Sequence, residues 1–151
     1  MTVRQALASF QVTGDALPGS TDPQAAGNGS LMRLAPVALF YYPNVRDVVD
    51  FSAKSSRTTH GAPEAVECCA LLGFALAGAL AGKTKASLQD LQAAEPREPK
   101  VAALATGGFL AKSRDEIVAS GYSVASLEAA LWCFHHTDTF EAAVLAAANL
   151  G

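Results

Sequence analysis

A chain of 151 residues, half of them hydrophobic, can bury a core of its own, which excludes a disordered segment and fits one domain or part of one. Its formal net charge of -3, with 11 Lys and Arg scattered singly, offers no basic stripe, so nucleic acid and anionic lipid are not expected partners. The opening MTVRQALASF lacks the apolar run of a signal peptide, and Cys68, Cys69 and Cys133 show no Cys-x-x-Cys spacing, so reduced thiols in a cytoplasmic setting are expected.

In chain order, residues 2–10 read as a short helix. QVTGDALPGSTDPQA, at 11–25, gathers Gly, Pro, Ser, Thr and Asp and reads as loop. AGNGSLMRLAP, at 26–36, then puts a tight turn directly before apolar residues at helical spacing. A helix from Ser30 to about Tyr41 is predicted, bent or begun late because Pro36 removes a backbone donor. Such a turn suits an anion: Gly27 and Gly29 permit close backbone approach, Asn28 and Ser30 add polar groups, and N–H groups from Ser30 to Met32 would face the ligand. The same residues also read as a plain turn with a helix cap, since neither a P-loop ending nor a dinucleotide fingerprint is present.

Asn44 is a good cap for an amphipathic helix, with Val45, Val48, Val49 and Ser52 on one face and Arg46, Asp47, Asp50 and Lys54 largely on the other. It gives way at SSRTTHG, and Pro63 and Glu64 open the next helix. His60 at this junction can either cap the preceding helix or face a ligand held at the Gly27 turn. Residues 65–82, AVECCALLGFALAGALAG, form a buried central helix. Their uncharged part falls short of the roughly 20 residues a membrane span needs. Gly73, Ala77 and Ala81, four apart, give it a flat strip for close packing, and the adjacent Cys68 and Cys69 act as small hydrophobes.

Beyond it, residues 87–94 read as a short helix capped by Ser87, and 101–110 as a helix weakened by Gly107 and Gly108. Ser113 caps a turn that Gly121 closes, and 122–126 has strand character too short for a sheet. Residues 126–135 form a helix ended by His135 and His136, which diverge too far on a helix to share a metal and read as C-terminal caps. Asp138 caps the last helix, with an apolar stripe of Phe140, Val144, Ala147 and Ala148. The fold class is therefore all-α, six to nine helices around residues 65–82.

GNGSLMRLAPVAL, SRTTHGAPEAVECC and SGYSVASLEAALWCF followed by DTFEAAVLAAANLG resemble, in sequence and order, the ADP-ribosylglycohydrolase family over residues 11–151. The resemblance implies an all-α domain that binds ADP-ribose and hydrolyses its glycosidic bond to a protein side chain or related acceptor, with two Mg²⁺ or Mn²⁺ ions. It implies that Gly27, Asn28, Gly29, Ser30 and Met32 line the ADP-ribose pocket and that His60 holds the ligand from the other side.

The family's two acidic metal-binding motifs, Thr-Asp-Asp-Thr-like and Asp-x-Asp-Thr-like, do not occur in this chain. Gly14-Asp15-Ala16-Leu17 is similar to the family's opening signature but stands directly before the Gly27 turn and reads as loop. Asp15, Asp22 and Asp138 each have a loop or cap role, so no metal ligand and no catalytic residue is assigned. Residues 1–151 thus read as a single partial domain, the internal portion of a hydrolase cut at both ends, expected to be inactive alone. The alternative is a non-catalytic ADP-ribose-binding or helical interaction module. Apolar faces of residues 65–82 and 140–148 left uncovered would favour self-association.

Overall fold

The computed structural model describes residues 2–88 and 91–150. Among the described residues helices are the regular elements, with two isolated bridges in place of a sheet. The α-helices are α1 (Thr2–Thr13), α2 (Ala35–Tyr41), α3 (Val45–Arg57), α4 (Pro63–Leu80), α5 (Pro99–Ala105), α6 (Ser123–His135) and α7 (Phe140–Ala148). Short 3₁₀ helices join them.

Helix α4 is the centre, as its composition requires, and packs against α2, α3, α5 and α6. It is 18 residues long and apolar enough to cross a membrane by composition, yet half of it is buried inside the fold. Its small-residue strip seats α3: a Cβ on Gly73 would lie 2.3 Å from Ser52 Oγ, and Ala77 packs with Ala38 and Val48. Ala81, the third member of that strip, is exposed. The opposite side of α4 presents Cys68, Leu71 and Ala75 to Val101, Leu104, Phe109, Leu127 and Leu131, which form the main core. Fully burying Phe109 stabilises the fold by about 1.5–3 kcal/mol by area alone.

Several local signals act as read. Asn44 caps α3 by accepting the Asp47 N–H at 3.3 Å, and Pro63 lies in the first turn of α4. Pro36 begins α2 late, and the residues before it, Asn28–Arg33, form a 3₁₀ helix rather than the start of an α-helix. Others differ. The helix expected over 101–110 is instead α5, Pro99–Ala105, ended at Thr106 before Gly107 takes a positive φ. Val45 is exposed because it sits at the first position of α3, before the helix reaches its neighbour. The helix expected over 87–94 is two 3₁₀ turns, Ala86–Leu88 and Gln92–Ala94, and Gln89 and Asp90 lie outside the described residues. Helix α6 begins at Ser123, and Gly121 caps nothing because the turn after Ser113 ends at Glu116.

At the chain's far end Thr139, not Asp138, caps α7, accepting the Ala142 N–H at 3.1 Å. His136 donates Nδ1–H to the Trp132 carbonyl (2.9 Å) and stacks on that indole, whereas His135 points inward against Phe109, its Nε2 buried and unpartnered. The α7 stripe faces outward: Phe140 is 86% exposed, and no residue of the helix is buried.

Candidate functional site

Two backbone clamps assemble the site. Gly19 N–H donates to the Arg57 carbonyl and Gly61 N–H to the Ser20 carbonyl, both at 2.9 Å, pairing Ser20 with His60 as a parallel bridge. This approach excludes side chains, since a Cβ on Gly61 would lie 2.3 Å from the Gly19 oxygen and one on Gly19 2.5 Å from the Arg57 oxygen. The second clamp is antiparallel. Asn28 N–H donates to the Gly121 carbonyl (2.8 Å) and Ser123 N–H to the Ala26 carbonyl (2.9 Å), which sets Gly27 opposite Tyr122.

Between the clamps lies the His60 imidazole, only 4% exposed. Its Cε1–Nε2 edge approaches the 27–29 turn so closely that a Cβ on Gly29 would meet Cε1 at 2.9 Å and Nε2 at 3.2 Å, while one on Gly27 would stand 3.4 Å from Nε2. The ring therefore does not cap α3. Thr58 Oγ1 and the Arg33 guanidinium cover the Ser55 carbonyl instead, at 2.8 and 2.9 Å. His60 Nδ1 meets Thr59 Oγ1 at 2.7 Å, and that hydroxyl in turn accepts from Arg33 at 2.6 Å. Burial, followed by the Arg33 charge, holds the imidazole below its ordinary value of 6.5, so it is uncharged at neutral pH.

The other expected site residues divide by facing. Asn28 is half-buried, donates Nδ2–H to Ser126 Oγ at 3.0 Å, and lines a cavity of ≈ 430 Å³ with Ser120, Gly121, Ala129 and Ala147. Ser30 is fully buried, and its hydroxyl bonds inward to Ser56 Oγ at 3.0 Å. Met32 is 78% exposed on the outer side of the 3₁₀ helix. Because that helix opens at Asn28, its i→i+3 pattern engages the N–H groups from Ser30 onward. The Asn28 N–H belongs to Gly121, which leaves Gly29 to offer a backbone donor.

Tyr122 lines a second cleft of ≈ 450 Å³, together with Pro23, Ala62, Glu64, Glu98 and Lys100. Its hydroxyl donates to Glu64 Oε2 and accepts from Lys100 Nζ (3.0 Å), and Lys100 pairs with Glu64 at 3.3 Å. Arg33, Thr59, Tyr122 and Ser126 were not singled out by sequence reading. The one signal was the strand-like character around Tyr122, which is the bridge to Gly27.

A pair of hard dications needs several converging oxygen donors. Among the described residues no group of three or more His, Cys, Asp or Glu converges. Asp15 holds the Leu17 N–H and Asp22 the Gln24 N–H, each at 2.9 Å, as turn and cap. The described residues do not fit a dinuclear centre. The cysteines are inert as well: all three are buried and free, and burial pushes the Cys68 thiol up to about 12.

Comparison with known proteins agrees with this architecture. The family model for ADP-ribosylglycohydrolases matches residues 1–151. The chain is 36% identical over 150 residues to the ADP-ribosylarginine hydrolase Tri1 of Serratia proteamaculans (strain 568), covering 99% of itself and 41% of that protein. It is 41% identical over 147 residues to the ADP-ribosylarginine hydrolase Tri1 of Pseudomonas putida (strain GB-1), covering 97% of itself and 39% of that protein. It therefore spans about two fifths of the curated relatives it matches. A solved ADP-ribosylglycohydrolase-related protein complex contains a chain that superposes with a TM-score of 0.87 at 37% identity, over 99% of this chain and 52% of that one. With a whole-length family match and the same helical fold, the chain belongs to the ADP-ribosylglycohydrolase family.

Proposed function

We propose that this chain forms the ADP-ribose-holding part of a hydrolase that removes ADP-ribose from arginine side chains of modified proteins. The observation that carries the reading is the His60 imidazole seated on the 27–29 turn beside the Asn28-lined cavity, in a chain 36% and 41% identical to ADP-ribosylarginine hydrolases. In this reading Gly29 offers its N–H and Asn28 its amide oxygen to the ligand, and His60 donates Nε2–H to a phosphate or ribose oxygen. Arg33 supplies positive charge next to the imidazole. Ser30 acts through its place beneath the turn rather than through its hydroxyl, and Met32 borders the ligand from the outer side.

The reaction hydrolyses the C–N bond between ribose and guanidinium: water adds to the ribose carbon, and arginine leaves with the proton. The Mg²⁺ or Mn²⁺ pair implied by the family resemblance is assigned to no residue of this chain, so turnover by residues 1–151 alone is expected to be negligible. A binding module without catalysis is the second reading, favoured by the lack of converging carboxylates among the described residues. A cytoplasmic, reducing setting belongs to both, given three free thiols.

Calorimetric titration of ADP-ribose into the purified chain, with and without Mg²⁺, tests the proposal. Saturable binding that Asn28→Ala and His60→Ala weaken at least about tenfold, the loss of one good polar contact, is the expected result. A folded chain that binds no ADP-ribose overturns it. Release of ADP-ribose from an arginine-modified protein separates the two readings.

A further inference from the structure

His60 can present either a proton or a lone pair from Nε2, and only the first can hold an anionic or hydroxyl acceptor oxygen. Which form exists is decided at the other ring nitrogen. Nδ1 lies 2.7 Å from Thr59 Oγ1, and Thr59 is only 7% exposed. The Arg33 guanidinium reaches the same oxygen at 2.6 Å and has donors only. Arg33 therefore fills one acceptor position of the hydroxyl. If Nδ1–H filled the other, the Thr59 proton would be left in a buried site where the structure gives that hydroxyl no further partner. Such an orphaned buried donor costs about 1–3 kcal/mol. The satisfied arrangement runs one way, Arg33 to Thr59 to Nδ1, and places the remaining ring proton on Nε2.

We infer that Arg33 and Thr59 are positioning residues that lock His60 in the Nε2–H tautomer, aiming a hydrogen-bond donor at the 27–29 turn where ADP-ribose is held. The ligand part of this inference rests on the proposed function, whereas the relay stands on geometry alone. The orientation is set twice. The short bond to Thr59 anchors one edge of the ring, and Gly29, whose absent Cβ would stand 2.9 Å from Cε1, receives the other. Burial and the Arg33 charge both disfavour the imidazolium, so a neutral ring with one defined proton is the ground state. Thr58, the adjacent hydroxyl, provides an internal contrast because Arg33 reaches it at 3.0 Å while His60 does not bond to it.

The test is ¹⁵N NMR of histidine-labelled protein at slightly alkaline pH. The chain has three histidines, and the His60 signals are assigned by their loss in His60→Gln. The wild type shows a protonated Nε2 and an unprotonated Nδ1 at His60. Thr59→Val shifts the population toward Nδ1–H, Thr59→Ser restores the wild-type pattern, and Thr58→Val leaves it alone. Arg33→Met, which keeps the Thr59 hydroxyl but frees its lone pair, gives a mixture. ADP-ribose affinity, measured on the same samples, falls about tenfold in Thr59→Val and recovers in Thr59→Ser. An unchanged Nε2–H tautomer in a folded Thr59→Val overturns the inference. A wild type with the expected tautomer that takes up no ADP-ribose overturns the proposed function and leaves the relay intact.

Discussion

Gly29→Ala probes the site without altering any polar group. The added Cβ would stand 2.9 Å from His60 Cε1 and 3.2 Å from Nε2, against roughly 3.5 Å for the closest comfortable carbon contact. The ring would have to retreat by about 0.6 Å toward the Thr59 hydroxyl on its other edge, compressing a bond that is already only 2.7 Å long. Overpacking of this kind costs about 1–3 kcal/mol. Reduced freedom of the unfolded chain returns about 0.4–1 kcal/mol, because Gly29 is not among the glycines with positive φ and alanine can adopt its conformation. A net loss of about 1–2 kcal/mol follows. Gly27→Ala is the control. Its Cβ would lie 3.4 Å from Nε2, an ordinary contact, at φ −76° and ψ 158°, so its stability should stay within about 0.5 kcal/mol of wild type. Urea unfolding followed by circular dichroism measures both. Equal stability of the two variants, or a Gly29→Ala protein as stable as wild type, refutes the placement of His60 against the turn.

Two further outcomes follow from the same structure. His60 and His135 are both held below 6.5, so the unfolded chain binds more protons than the native one in the window beneath that value. Stability is therefore complete above pH 6.5 and falls as the pH drops through the lowered values. Glu116, held low by the Ser113 N–H and hydroxyl, adds a second loss of the same sign below 4.5. A melting temperature higher at mildly acidic than at neutral pH contradicts this. Self-association is expected through α7, where Phe140, Val144 and Leu145 are 86%, 50% and 55% exposed. Sedimentation velocity should show a mass that rises with concentration and falls in Phe140→Ser, whereas a concentration-independent monomer removes the expectation.

The sequence was most legible where structure is decided locally. Asn44 and Pro63 start α3 and α4, Pro36 delays α2, and the small residues of α4 mark it as the helix others approach. Legibility failed by small steps where two local options have similar free energies. Thr139 and Asp138 are both competent caps, and tertiary position selected Thr139. At 27–33 the chemistry of the turn was visible, but the choice of a 3₁₀ helix was not. With three residues per turn instead of 3.6, side chains rotate by about 120° per residue, and Ser30 comes to face Ser56 in the interior.

What no local pattern carries is the joining of distant segments that makes a site out of a turn and a histidine. Asn28 meets Ser126 across 98 residues, and Arg33 meets Thr59 across 26. Both contacts depend on backbone pairing at Gly19, Gly27 and Gly61 rather than on hydrophobic periodicity. Gly61 and Gly19 looked like ordinary loop punctuation. They are instead positions where two backbones come too close for a Cβ, and the resulting bridge pairs Ser20 with His60. A motif such as Thr-Thr-His-Gly therefore has a physical reading residue by residue. Its first Thr helps close α3, its second bonds the imidazole, the His faces the 27–29 turn, and the Gly admits the backbone of residues 19–20 that holds them in place.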